Sequence, residues 1–295
     1  VNMRCVMGVW DTANDMFWAT QDSTVPHLIY LYAQRKAVIS AQEANRAIDK
    51  FSNMMATGVY QYRVGTHRNG APTRQPGAFR LNDRVAVVRN LDAGPISVTR
   101  NDSWELHGAG IGNNIHAAME NDRVGYWSAG CQVIPGGYSS DRRRPRGAWR
   151  QFRIAAGLRA DPEIIERDPA APTCWDTTDD SWFSCPEPGA REAPVGGAGS
   201  QYSYILITGA EARLAAQNSN VADNDQQYAR LRRGSSGARV RALRNALEMS
   251  EGEHFDASVQ ERYILHAQMP SGFGADGVLT PGEAERLSLA NLVWT

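Results

Sequence analysis

Long apolar runs are missing from this 295-residue chain. Nothing in it approaches the roughly 18 consecutive apolar residues of a membrane helix, so no membrane span is expected. Charge of one sign is missing too, since 31 basic and 32 acidic side chains leave a formal net charge of −1. A dedicated nucleic-acid binder usually carries a strongly basic face, so nucleic acid is not an expected partner. Lysine occurs only at Lys36 and Lys50, and almost every positive charge is arginine. Cysteine is scarce. Cys5, Cys131, Cys174 and Cys185 are too few for a disulfide scaffold, and no CxxC spacing supports a structural zinc site. Glycine and proline show no collagen-like excess.

What is present suits a globular protein. The chain is 42% hydrophobic, enough for real cores. Its length suits about two domains of roughly 100–200 residues each. The early runs RCVMGVW, MFWAT and HLIYLYA, parted by Asp, Asn and Thr, read as strands and turns. From Ser40 to Met55, Ala41, Ala44, Ala47, Ile48, Phe51 and Met55 recur at helical spacing, with Gly58 as a stop. From Val59 to Ile134, short β-branched and aromatic runs are punctuated by Gly, Pro, Asn and Asp, the texture of a β-rich domain. A short helix is expected over Trp149–Leu158, packing Trp149, Phe152 and Ile154.

Residues 161–200 read as a loop-rich insertion. Cys174 and Cys185 lie in it, within PTCWDTTDDSWFSCPEP. They form either a disulfide suited to an oxidising compartment or two free thiols. QYSYILIT, residues 201–208, returns as a strand, and AAQNSNVADNDQQ reads as a connection. Three short helices close the chain. The first follows the turn Gly234–Gly237 and carries Val240, Leu243, Ala246 and Leu247. The second spans Ala257–Gln268 with Val259, Tyr263, Ile264 and Ala267. The third starts at Pro281 with Ala284, Leu287 and Leu289.

The chemistry concentrates in Asn114–Gly137, NIHAAMENDRVGYWSAGCQVIPGG. A candidate strand ends in His116, and Ser128-Ala129-Gly130-Cys131 follows. A thiol attacks as thiolate and needs a neighbouring base or cation, which a histidine on an adjacent strand supplies. Gly130 permits a tight turn that aims backbone N–H groups around Gly130 and Cys131 at an oxyanion. A buried structural cysteine and histidine remain the alternative.

This segment resembles the active-site signature of the L,D-transpeptidase (YkuD-like) family, a histidine followed at short spacing by Ser-His-Gly-Cys. The resemblance implies His116 as base, Cys131 as nucleophile, and Ser128 and Gly130 as the small supporting residues. It implies that Ala117 acts through its backbone carbonyl. Ala129 stands where many members have a second histidine, and Gln132-Val133 where many have an apolar residue and an arginine. The form W-S-A-G-C-Q-V resembles a divergent branch found in phage and secreted proteins. Tyr60, Gly65, His67 and Ala78-Phe79-Arg80 also resemble that branch. His67, Arg80, Trp127 and Gln132 are the candidate substrate contacts, with ordinary surface roles as the alternative for His67 and Arg80. Cell-wall cysteine peptidases of the CHAP type place cysteine before histidine, the reverse of the order here. Glu105 and His107 near His116 raise a metal cluster, but no HxxxxxxD or ExxH arrangement completes it, so no metal and no cofactor are expected.

A second resemblance is independent. LRRGSSGARVRALRNAL, with Leu231, Gly234, Gly237, Val240 and Leu243, and the later Ala275-Asp276-Gly277-Val278 and Thr280-Pro281-Gly282 resemble a three-helix peptidoglycan-binding domain. A generic helical oligomerisation module is the alternative.

The expected fold is therefore multi-domain. A β-rich L,D-transpeptidase-like catalytic domain spans 1–215, a linker 216–227, and a small three-helix peptidoglycan-binding domain 228–295. The expected activity is thioester chemistry at a diaminopimelate carbonyl of stem peptides, giving transpeptidase, carboxypeptidase or endopeptidase products. A wall-binding component of a phage or secretion apparatus with little catalysis is the other class. The expected partner is peptidoglycan, with virion or secretion-apparatus proteins as further candidates. The expected location is the cell envelope, the periplasm, the exterior or a virion. No charged segment followed by an apolar one opens the chain, so that location predicts a removed leader or another export route.

Overall fold

A computed structural model describes residues 5–24, 53–67, 75–82, 84–89, 103–107, 113–118, 128, 130–140, 144–161, 201–217, 230–271 and 277–293. The candidate disulfide Cys174–Cys185, the run HLIYLYA and most of the expected helix from Ser40 lie outside them. The end of that helix is corrected: Asn53–Met55 is strand β3.

The chain opens with an antiparallel hairpin, β1 (Cys5–Asp11) and β2 (Met16–Asp22), in register from Cys5↔Asp22 to Asp11↔Met16. Its turn is closed by Asp11, whose carboxylate accepts from the backbone N–H of Ala13 at 3.0 Å and of Asn14 at 3.3 Å. Asp15 takes a left-handed φ of 49°, a conformation that Asp tolerates better than most residues.

The central sheet has five strands in the order β10-β4-β5-β8-β9. They are β4 (Gly58–His67), β5 (Gln75–Leu81), β8 (Ile115–Ala117), β9 (Gln132–Ile134) and β10 (Gln201–Leu206). β4 and β5 run antiparallel, as do β5 and β8, whereas β8 and β9 are parallel. A three-stranded sheet joins β3 to β6 (Val85–Arg89) and β7 (Ser103–His107) in the order β3-β6-β7. The β-rich reading of 59–134 is therefore met, with a curled sheet and short helices.

One face of the central sheet is a dry aromatic layer. Phe79 meets Trp149, Phe152 and Tyr202 edge-on at 6.2, 5.4 and 4.9 Å. Such pairs add roughly 0.5–1.5 kcal/mol each beyond their area. Trp149 and Phe152 come from α1 (Gly147–Ala155). The expectation that Ile154 packs there is corrected: it is 41% exposed, and Arg153 is fully buried. Helical geometry explains this, because Arg153 lies four residues from Trp149 on the same stripe and Ile154 lies five away. The Arg153 guanidinium donates to the carbonyl of Gly77 and to that of Arg159.

The chain divides into two compact units, each assembled from separate stretches. One comprises Val1–Met54, Gln61–Asp83 and Gly108–Ser203, the other Met55–Tyr60, Arg84–His107 and Tyr204–Thr295. The second holds α2 (Gly209–Gln217), α3 (Ala238–Ala246), α4 (Ala257–Ser271), α5 (Pro281–Arg286) and a further short α6 (Ala290–Val293). Of the expected stripe residues, Val240, Leu243, Leu247, Val259, Tyr263, Ile264, Ala267, Ala284 and Leu289 are buried, whereas Ala246 and Leu287 are only half-buried. Residues 216–217 of the expected linker are helical and the rest of it lies outside the described residues. None of the described helices is long and apolar enough to cross a membrane.

Candidate active site

The period of two along a strand sorts the central sheet into two faces. Arg63 pairs with Arg80, Gly65 with Ala78, and His116 with Val133. The pairing Phe79↔Ile115 sets Ala78 beside His116 and Arg80 beside Asn114. Arg63, Gly65, His67, Ala78, Arg80, Asn114 and His116 thus share the face opposite the aromatic layer. Gly65 and Ala78 carry almost no side chain, so the sheet surface between the two arginines and the two histidines is low.

His116 Nδ1 lies 2.6 Å from the carbonyl oxygen of Ala117. A carbonyl only accepts, so Nδ1 carries the proton and Nε2 the lone pair. The His67 ring stacks on it, with centroids 4.1 Å apart and planes 11° from parallel. Asn114 sets the second tautomer. Its Oδ1 accepts from the Leu81 N–H at 3.3 Å, so its Nδ2 faces His67 Nδ1 at 3.0 Å and donates to it. His67 therefore carries its proton on Nε2. Cys131 is buried and not in a disulfide. One ligand atom each of His67, His116 and Cys131 lies within 4.8 Å of the others.

The loop before Cys131 is tied by Ser128. Its hydroxyl donates to the Cys131 carbonyl at 2.6 Å and accepts from the Gly130 N–H at 3.1 Å. This corrects one expectation. The Gly130 N–H is committed to Ser128 and is not aimed at an oxyanion.

The candidate substrate contacts separate. His67 joins His116 and Cys131. Arg80 lies on the same face, and burial, with Arg63 adding repulsion, holds its guanidinium down at about 10. Gln132 lies on the opposite face, fully buried, where its Oε1 accepts from the Tyr62 hydroxyl at 3.1 Å. Trp127 and Ala129 lie outside the described residues. Asn114 escaped sequence reasoning, although its position two residues before His116 places it on the same strand face. Glu105 and His107 fall on β7, in the other sheet.

Two imidazoles and a thiol are the donor set of a tetrahedral zinc site with a fourth position left over. The sequence pattern raises a metal only around Glu105 and His107, not at this cluster. As the side chains stand, His116 and Cys131 offer a lone pair and a sulfur, but His67 offers an N–H, which does not ligate a metal.

Beside this cluster, the Ser23 and Val133 backbones exchange hydrogen bonds of 3.0 and 2.9 Å. The adjacent Asp22 carboxyl is fully buried, and neither oxygen has a hydrogen-bond partner among the described residues. Burial pushes it up to about 7.

Compared with known protein families, curated proteins and solved structures, the chain finds no match.

Proposed function

We propose that the chain is a peptidoglycan-modifying cysteine enzyme acting through a thioester, multi-domain, with residues 228–295 as a peptidoglycan-binding domain. The observation that carries this reading is the hydrogen bond from His116 Nδ1 to the Ala117 carbonyl. It leaves the basic nitrogen for the proton of Cys131, in a cluster whose ligand atoms lie within 4.8 Å of one another. His116 takes the thiol proton as Cys131 attacks the carbonyl carbon of a diaminopimelate residue. The carbonyl pair moves to oxygen. Collapse then breaks the C–N bond, and His116 returns the proton to the departing D-amino acid. An amine acceptor gives a cross-link or an exchanged amino acid, and water gives carboxypeptidase or endopeptidase products. This activity belongs in the cell envelope, outside the cell or on a virion.

Digested sacculi read by mass spectrometry test the proposal. The wild-type protein is expected to change the muropeptide profile and Cys131→Ala to leave it unchanged. A profile altered equally by both overturns the mechanism. Sacculi bound but unaltered by the wild-type protein favour a wall-binding component instead.

A further inference from the structure

The Gly130 N–H is occupied, yet an attacked carbonyl develops a full negative charge that needs donors about 2.7–3.1 Å away. We propose that His67, held by Asn114 as the Nε2–H tautomer and stacked on His116, donates to that oxyanion. This rests on the cysteine-enzyme reading and adds a catalytic donor and its positioning residue to it.

Three observations converge. The Asn114 amide faces His67 Nδ1 with its NH2 end, because its oxygen is engaged by the Leu81 N–H. The proton of His67 is thereby fixed on Nε2, the far side of the ring. A ring nitrogen of His67 lies within 4.8 Å of Cys131 Sγ. An oxyanion sits two bonds beyond that sulfur, so it forms beside the ring of His67. The two rings stack face to face, and their partners leave them in complementary states, His116 with a lone pair for the thiol proton and His67 with an N–H for the carbonyl oxygen. Both rings are buried, and a hydrogen bond to an oxyanion is worth more there than at the surface.

The step balances. The C–S bond forms as the thiol proton moves to His116. The carbonyl π pair becomes the oxyanion held by His67. Collapse restores the carbonyl as the leaving group departs with its bonding pair.

The test separates acylation from alkylation. p-Nitrophenyl acetate acylates Cys131 through an oxyanion, and iodoacetamide alkylates it without one. His67→Ala is expected to slow acylation by about 10²–10³-fold while alkylation changes by less than about threefold. His67→Gln, which keeps an N–H donor, is expected to recover much of the acylation rate and guards against a folding defect in the alanine variant. In the wild-type protein, ¹⁵N NMR of the His67 ring is expected to show the Nε2–H tautomer, and Asn114→Asp to remove it. Equal loss of both reactions, or unchanged acylation in His67→Ala, overturns the proposal. A wild-type thiol inert to both reagents overturns the cysteine-enzyme reading together with it. A thiol that reacts normally while muropeptides stay unchanged fails the peptidoglycan reading alone.

Discussion

Asp22 carries its carboxyl out of water, with an ordinary value of 3.8 pushed up to about 7. A raised folded value means that the native chain binds the proton more tightly than the unfolded chain. The associated stability is present in full below about 4 and is lost as pH rises through about 7. Asp22→Asn is expected to flatten that dependence and to raise stability at pH 8 by on the order of a few kcal/mol. Urea unfolding at pH 5 and pH 8 checks it, and a wild-type protein that gains stability over the variant on going to pH 8 contradicts it. The same scale shows what the sequence could reveal about the site. That His116 and Cys131 lie together was legible, because a reactive thiol calls for a base of that type beside it. The misplacement of Gln132 was not avoidable, because the face a strand residue occupies depends on a register set by distant partners. The capture of the Gly130 N–H by Ser128 depends on a loop conformation that spacing alone does not encode.

At the scale of elements, α2 and α6 were not expected, whereas α3, α4 and α5 were the most legible part. Their buried stripes repeat at three and four residues, and α5 starts where Pro281 follows Thr280. That start is a full capping box. Thr280 Oγ1 accepts from the Glu283 N–H at 3.3 Å, and Glu283 Oε2 accepts from the Thr280 N–H at 2.9 Å. Thr280→Ala is expected to cost about 1 kcal/mol, read as a lowered urea midpoint; no change would remove the cap from the stability account. α1 was legible in position but not in its burial, because a buried arginine on the Trp149 stripe needs the carbonyls of Gly77 and Arg159, which the helix does not itself contain. Gly136, in the turn between β9 and α1, has φ +128°, and a Cβ there would lie 2.3 Å from the Arg146 carbonyl oxygen. Gly136→Ala is expected to destabilise by at least about 1–3 kcal/mol, visible as a lower melting temperature. An unchanged melting temperature would show that this turn relaxes freely.

For the whole molecule, linear reading placed a boundary near residues 216–227, while the compact units interleave along the chain. Contacts across long sequence distances cause this, and no local pattern announces them. Within the second unit, Arg84 pairs with Glu261 at 2.8 Å, and the Arg233 guanidinium sits 4.9 Å over the Tyr60 ring. Val85, Ala86 and Val87 are buried in the same unit. A chain ending at residue 227 is therefore expected to lose protection of β6 and β7 in hydrogen exchange, rather than to behave as an intact catalytic domain. Full protection of those strands in the shortened chain would disprove this. The interleaving also has a temporal side. β6 and β7 leave the ribosome over a hundred residues before the helices of 231–293. At roughly 5–20 residues per second, Val85, Ala86 and Val87 of β6 wait on the order of ten seconds for the helices of their unit. During synthesis, β6 is therefore a stretch that a chaperone would have to shield.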